Sequence, residues 1–119
     1  MAKRFRLTVA QMNPTVGDLE GNAALARRAW EEGKAAGADM VALPEMFITG
    51  YQTQDLVMKP AFTRDAMAKV EALIAACADG PAIGIGGPLL QGGKLFNAYH
   101  IGRGGKAIRQ LLKHDLPNE

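Results

Sequence analysis

The stretch Asp39 to Leu43 reads DMVAL and is followed directly by Pro44. Its nearly continuous apolar character predicts a strand buried on both faces, which is typical of a parallel sheet covered by helices. Proline ends this strand because it has no N–H to donate to a neighbouring strand. Ala82 to Gly86 (AIGIG) has the same character and predicts a second buried strand. We therefore expect an α/β fold.

The segment before this strand predicts a strand and a helix. Phe5 to Met12 (FRLTVAQM) has the composition of a strand, which Asn13 and Pro14 would end. Asp18 is a typical helix N-cap, and Gly37 is a typical helix stop. Between them, small and apolar residues recur at 4-3-4-3 spacing and form one stripe of a helix. These residues are Leu19, Ala23, Ala26, Trp30 and Gly33.

The segment after it predicts a second helix and two hairpins. The helix spans Thr63 to Ala78, and its apolar stripe consists of Val70, Leu73, Ile74 and Cys77. The pairs Gly92-Gly93 and Gly104-Gly105 predict tight turns, the second of which leads into a strand from Lys106 to Lys113. The predicted order is thus β-α-β-α-β-β-β, with parallel strands first and an antiparallel extension.

Size and composition limit the classes of protein to consider. The chain has 119 residues, 14 basic and 12 acidic, for a net charge of +2. This imbalance is too small to indicate a nucleic-acid or membrane partner. A single cysteine excludes an internal disulfide and a multi-cysteine metal site, and we expect no metal or cofactor site. Without a secretory or membrane-spanning segment, we expect a cytoplasmic chain.

Glu45 is the first candidate for chemistry. It directly follows the predicted strand and Pro44, and ligands of open α/β sheets bind at the carboxyl ends of strands. Apolar neighbours such as Phe47 and Ile48 would desolvate its carboxylate and raise its pKa towards the range of a general base. On position alone, a solvated loop glutamate is the more common explanation.

Lys113 and the two histidines are weaker candidates. Lys113 would end the last strand, where its ammonium group could stabilise an oxyanion, but surface lysines are common at strand ends. His114 could act as an acid or base, yet no serine or cysteine partner lies near it in the sequence. His100 lies within LFNAYHI, and this position favours a residue packed in the sheet.

Neither the cysteine nor the glycine-rich pieces indicate a site. Cys77 occupies an apolar helical stripe, whereas reactive thiols need a polar and partly exposed setting. The pieces GIGGP, GGK and GRGGK lack the spacing of a phosphate-binding loop that opens a helix. The residues therefore offer a base and a cation but no credible nucleophile.

Three motifs together resemble the nitrilase-like carbon–nitrogen hydrolases. LTVAQMNPTVGDLEGN (Leu7 to Asn22) resembles the opening strand, turn and helix start of that family. ALPEMFITGY (Ala42 to Tyr51) is similar to its catalytic-glutamate motif, and KHDLPN (Lys113 to Asn118) to its catalytic-lysine motif. The passage DLVMKPAF (Asp55 to Phe62) is similar to the glutaminase domain of glutamine-dependent NAD+ synthetases in particular.

The resemblance implies a fold and roles for two residues. The family fold is a four-layer α-β-β-α sandwich, of which this chain would be about the first half. Glu45 would be the general base and Lys113 the cation that stabilises the tetrahedral oxygen. The family nucleophile is a cysteine downstream of KHDLPN, where this sequence has ended, so we expect the chain by itself to be inactive.

The resemblance also implies a reaction and its partners. The substrate would be glutamine, and its ammonia would amidate deamido-NAD+ in a separate synthetase domain that uses ATP and Mg2+. Residues 1–119 would then be the amino-terminal part of the glutaminase domain, and the complete enzyme a homo-oligomer. Two alternatives stay open: a stand-alone amidase acting on another amide, and a non-catalytic module that packs against a partner.

Overall fold

A computed structural model describes residues 4–50 and 60–115, with side chains as far as Leu112. Its five strands form one sheet in the order β1-β2-β3-β4-β5. The first three strands are parallel, and β4 and β5 are added antiparallel. The predicted order of elements is confirmed. The elements are β1 (Leu7–Val9), α1 (Leu19–Ala35), β2 (Met40–Ala42), α2 (Pro60–Ala76), β3 (Ala82–Gln91), β4 (Lys94–Arg103) and β5 (Lys106–Asp115).

Helix α1 forms as its sequence predicts. Asp18 caps it by accepting a hydrogen bond of 3.0 Å from the backbone N–H of Gly21. Ala26, Trp30 and Gly33 from the predicted stripe are buried against the sheet. The helix ends at Ala35, and Gly37 forms the turn after it at a φ of 81°. This left-handed conformation costs a glycine little.

The two helices cover one face of the sheet. Trp30 on α1 is buried and donates a hydrogen bond of 2.8 Å from its indole Nε1 to the carbonyl of Pro81, just before β3. On α2, Val70 and Ile74 lie over the neighbouring strands β3 and β4. The largest fully buried apolar side chains in the described part of the chain include Phe47, Ile48, Val41, Ile83 and Ile85.

The first three strands differ in length from the prediction. The first two are three-residue strands, because parallel pairing between them covers only Leu7–Val9 and Met40–Ala42. The third extends five residues beyond Gly86, since it pairs with β4 along its whole length. Pro88 fits within β3, although proline lacks the N–H that a central strand usually donates.

Apolar side chains are exposed on the two edge strands and beside them. Phe5 is 66% exposed and Val9 64% exposed, and both belong to the same alternating face of the first segment. Exposed apolar clusters of this kind mark surfaces that another element or molecule covers. The remaining members are Leu7 beside Val9, and Ile108, Leu111 and Leu112 on β5.

Candidate active site

The segment after β2 continues along β3 and carries Glu45. The backbone N–H of Leu43 donates to the carbonyl of Gly84 at 2.7 Å, and that of Gly86 donates to the carbonyl of Pro44 at 3.2 Å. These bonds hold the chain on both sides of the proline. Glu45 therefore starts a turn whose first residues are fixed to the central strand, at the carboxyl end of β2 as predicted.

Gly86 allows this turn to lie directly against β3. A Cβ atom at Gly86 would overlap the backbone of Glu45 and of Met46. Met46 itself has a φ of 55°, which is uncommon for a residue with a side chain. The turn thus combines a close backbone approach with a strained residue, and such strain persists only where the surrounding structure enforces it.

The far end of the turn is held by the core and by α1. Phe47 and Ile48 are fully buried. The amide Nδ2 of Asn22 donates to the carbonyl of Ile48 at 3.0 Å and to that of Thr15 at 2.8 Å. Asn22 is itself buried. Sequence reasoning missed this residue as a support of the turn, because its partners lie 7 and 26 positions away.

The prediction that apolar neighbours desolvate Glu45 is wrong among the described residues. Glu45 is exposed, whereas Phe47 and Ile48 are buried. The apolar neighbours in sequence enter the core on the helix side and leave the glutamate outside it. Glu45 therefore lies at the surface of the described part of the chain.

Lys113 occupies an irregular position in β5. Ala98 on β4 pairs with Leu112, and the next residue, Asn97, pairs with His114. Lys113 is thus the extra residue of a β-bulge, a feature that often re-aims a side chain beside active sites. The prediction that Lys113 ends the strand is wrong, because pairing with β4 continues to Asp115. The side chains of Lys113 and His114 lie outside the described residues.

The two candidates lie on one sheet, the Glu45 turn against β3 and Lys113 on β5, with β4 between them. Gly86, under the Glu45 turn, pairs with Tyr99, which pairs with Leu111 two residues before Lys113. Two strand spacings separate β3 from β5, or about 10 Å. The backbones of the Glu45 turn and of the Lys113 bulge therefore lie about two strand spacings apart on the same sheet.

The predictions for Cys77 and His100 are confirmed. Cys77 is 1% exposed beside the end of α2, and burial raises the pKa of its thiol to about 11. This thiol is protonated at neutral pH and inaccessible, so it has neither property of a nucleophile. His100 is buried on β4, and burial lowers its pKa. Its ring Nδ1 lies 3.4 Å from the amide Nε2 of Gln110.

The glycine-rich pieces are structural. Gly92-Gly93 and Gly104-Gly105 form the two hairpin turns with positive φ values, as predicted.

Within residues 4–50 and 60–115, no three histidine, cysteine or acidic side chains are grouped closely enough to hold a metal ion. In the same ranges, neither helix is long and apolar enough to cross a membrane.

Comparison with known proteins gives one family. The sequence profile of the carbon-nitrogen hydrolase family matches residues 6–118. The chain is 59% identical over its full 119 residues to a glutamine-dependent NAD+ synthetase of Rhodobacter capsulatus, of which it covers 22%. The synthetase of Thermotoga maritima is 43% identical over 63 residues. The chain spans about a fifth of the length of such relatives, or less.

Solved structures share the fold. A glutamine-dependent NAD+ synthetase from Cytophaga hutchinsonii superimposes on 97% of this chain with a TM-score of 0.87 and 30% identity, and the chain covers 20% of that protein. An amidase from Nesterenkonia superimposes on 97% of the chain with a TM-score of 0.79 at 17% identity, and 44% of that protein is covered. The predicted nitrilase-type fold class is thereby confirmed, as is the predicted resemblance to the NAD+ synthetases.

Proposed function

Because the chain belongs to the carbon–nitrogen hydrolase family, we propose that it is the amino-terminal part of a glutaminase domain that supplies ammonia for NAD+ synthesis. The observation that carries this proposal is the Glu45 turn, which places an exposed glutamate directly beside the central strand β3 through backbone hydrogen bonds on both sides of Pro44. The 59% identity to the Rhodobacter capsulatus synthetase over the whole chain supports glutamine as the substrate.

In the proposed reaction, Glu45 is the general base. Its carboxylate takes the proton of a cysteine thiol, whose sulfur attacks the side-chain amide carbon of glutamine. Glu45 then returns the proton to the leaving nitrogen, and ammonia departs as a thioester forms. Glu45 next activates a water molecule that hydrolyses the thioester and releases glutamate. An exposed carboxylate on a fixed turn suits this repeated proton transfer.

Lys113 is the proposed oxyanion-stabilising cation. Negative charge develops on the amide oxygen when the thiolate attacks, and an ammonium group placed beside that oxygen lowers the energy of the transition state. Lys113 occupies the extra position of a β-bulge, and bulges are over-represented beside active sites, which supports this role.

The proposed nucleophile comes from outside these 119 residues. Cys77 is the single cysteine of the sequence, and its buried position gives a substrate no access. The exposed apolar side chains of β1 and β5 support a further sheet of the same domain packed against this one. We propose that this remaining half of the sandwich carries the thiol.

A chimera tests the proposed function. We expect that this chain, substituted for the matching segment of the Rhodobacter capsulatus synthetase, supports NAD+ formation with glutamine as the nitrogen donor. The assay contains deamido-NAD+, ATP and Mg2+, and it compares glutamine with ammonium chloride. Rates within about tenfold of the parent synthetase for both donors are the expected result, since the two segments are 59% identical over their whole length.

Comparing glutamine with ammonia as nitrogen donors shows whether the amidase segment or the synthetase domain has failed. Synthesis from ammonia reports an intact synthetase domain, and synthesis from glutamine additionally requires the segment that this chain supplies. A chimera that uses ammonia normally but not glutamine, even though it is folded, would contradict the proposal.

The close contact at Gly86 gives a second expected result. Gly86→Ala places a Cβ atom against backbone atoms of Glu45 and Met46. Backbone atoms cannot move aside as the end of a flexible side chain can. We expect it to lower the stability of the amidase domain by about 1–3 kcal/mol, the usual cost of overpacking a close contact. Displacement of Glu45 should also lower glutamine-dependent synthesis in the chimera by about 100-fold.

The matched control is Gly92→Asn in the β3–β4 turn. No atom lies within 4 Å of a Cβ built at Gly92, and asparagine tolerates its φ of 60°. The unfolding temperature of this variant and its rates of synthesis with both nitrogen donors should match those of the unchanged chimera. Equal effects of the two substitutions would show that Gly86 has no special role under the turn.

A further inference from the structure

Two glycines on one face of β3 make room for two neighbouring groups. Gly86 lies under the backbone of Glu45, and Gly84, two residues earlier, lies under the ring of Tyr99. A Cβ atom at Gly84 would be 2.6 Å from both the Cε2 and the hydroxyl oxygen of Tyr99. Residues two apart on a strand share a face, so the phenol and the glutamate turn lie side by side.

Tyr99 is bonded to the start of that turn. Its hydroxyl donates a hydrogen bond of 2.7 Å to the carbonyl of Leu43, a residue 56 positions earlier in the chain. The N–H of Leu43 donates to the carbonyl of Gly84, also at 2.7 Å. Both backbone polar groups of Leu43 are therefore held. Only Pro44, whose φ is fixed by its ring, separates Leu43 from Glu45.

The phenol remains a hydrogen-bond donor over the pH range of enzyme assays. Burial raises the pKa of Tyr99 to about 12, and the negative charge of Glu45 also raises it. The hydroxyl is therefore protonated at neutral pH.

We propose that Tyr99 is a positioning residue for Glu45: its hydroxyl holds the Leu43 carbonyl and thereby fixes where the glutamate turn leaves the sheet. This inference rests on the proposed function of Glu45 as general base. Removal of the hydroxyl leaves a carbonyl at the root of the turn without this partner and lets the carboxylate shift. A displacement of about 1 Å can lower a catalysed rate by as much as about 100-fold.

The test is Tyr99→Phe in the chimera, because phenylalanine keeps the ring against Gly84 and loses only the hydroxyl. We expect kcat for glutamine hydrolysis to fall about tenfold, with KM changed less than about twofold, since positioning of a base acts on the chemical step. Synthesis from ammonia should be unchanged. A KM increase with unchanged kcat would overturn the inference.

A double-mutant cycle separates positioning from a general structural effect. In a Glu45→Asp background, the carboxylate is already displaced, so Tyr99→Phe should lower kcat less than about twofold further. A full tenfold decrease in that background would show that Tyr99 acts independently of Glu45, which would overturn the inference.

The matched control is Trp30→Phe, which removes another side-chain hydrogen bond to a backbone carbonyl, that of Pro81 at 2.8 Å. Its thermal unfolding should shift, whereas kcat of the folded protein should not. An equal fall in kcat for Trp30→Phe would contradict a specific role of Tyr99.

If Glu45→Gln abolishes glutamine hydrolysis while Tyr99→Phe leaves kcat unchanged, this inference alone fails. If Glu45→Gln retains full activity, the proposed function fails as well.

Discussion

In the chimera, Glu45→Gln is expected to lower glutamine-dependent NAD+ formation by about 1,000-fold, within the range that a general base contributes. Glutamine has nearly the shape of glutamate, so the turn on β3 should persist while the group that accepts the thiol proton is lost. Ammonia-dependent synthesis should remain within about twofold of the unchanged chimera, because it bypasses amide hydrolysis. The measurement is the steady-state rate of NAD+ formation with each nitrogen donor.

The control for this substitution is Glu32→Gln. Glu32 is an exposed residue on helix α1, so its replacement makes the same chemical change away from the turn. It should leave both activities unchanged. Retention of glutamine use by the Glu45 variant would contradict the role of this carboxylate as base. Loss of both activities would contradict a role confined to the amidase.

Lys113→Met is expected to lower kcat for glutamine hydrolysis by about 100- to 1,000-fold, the range measured when an oxyanion-stabilising group is removed. Methionine keeps much of the length of the side chain and lacks the charge. Since the charge develops mainly in the transition state, kcat should fall more than KM rises. Ammonia-dependent synthesis again reports whether the rest of the chimera is intact.

The control for the lysine is Lys106→Met at the start of the same strand. Lys106 is exposed beside the second hairpin turn, at the opposite end of β5 from Lys113. Its replacement should leave glutamine use unchanged, whereas Lys113→Arg should retain part of the activity because it keeps the positive charge. Similar small effects of the Lys106 and Lys113 substitutions would contradict the proposed role of Lys113.

Local signals predicted most of the fold. The N-cap at Asp18, the buried stripe through Ala26 and Trp30, and the two glycine-pair turns depend on neighbours in sequence, and the structure contains all of them. The lengths of the strands were predicted less well. β3 extends to Gln91 because β4 pairs with it, and this pairing is a property of two segments together.

The same distinction between features set by neighbours in sequence and features set by distant segments applies to the site. Strand-end position made Glu45 and Lys113 candidates, and motif resemblance implied their roles. The structure places the Glu45 turn against β3 and Lys113 on β5 of the same sheet. The desolvation of Glu45 was predicted from its apolar neighbours and was wrong, because Phe47 and Ile48 are buried while Glu45 is not. Tyr99 was missed, since nothing near it in sequence indicates its bond to Leu43.

By itself, the sequence determined the types and order of the elements and the parallel and antiparallel parts of the sheet. These follow from periodicity, capping and turn residues, which act over a few positions. Only the tertiary structure decided that Glu45 stands outside the core on a turn against Gly86, that Tyr99 supports this turn, and that Lys113 lies in a bulge. Each of these depends on contacts or pairing between segments distant in sequence, whose geometry is set when the strands pair and the helices pack.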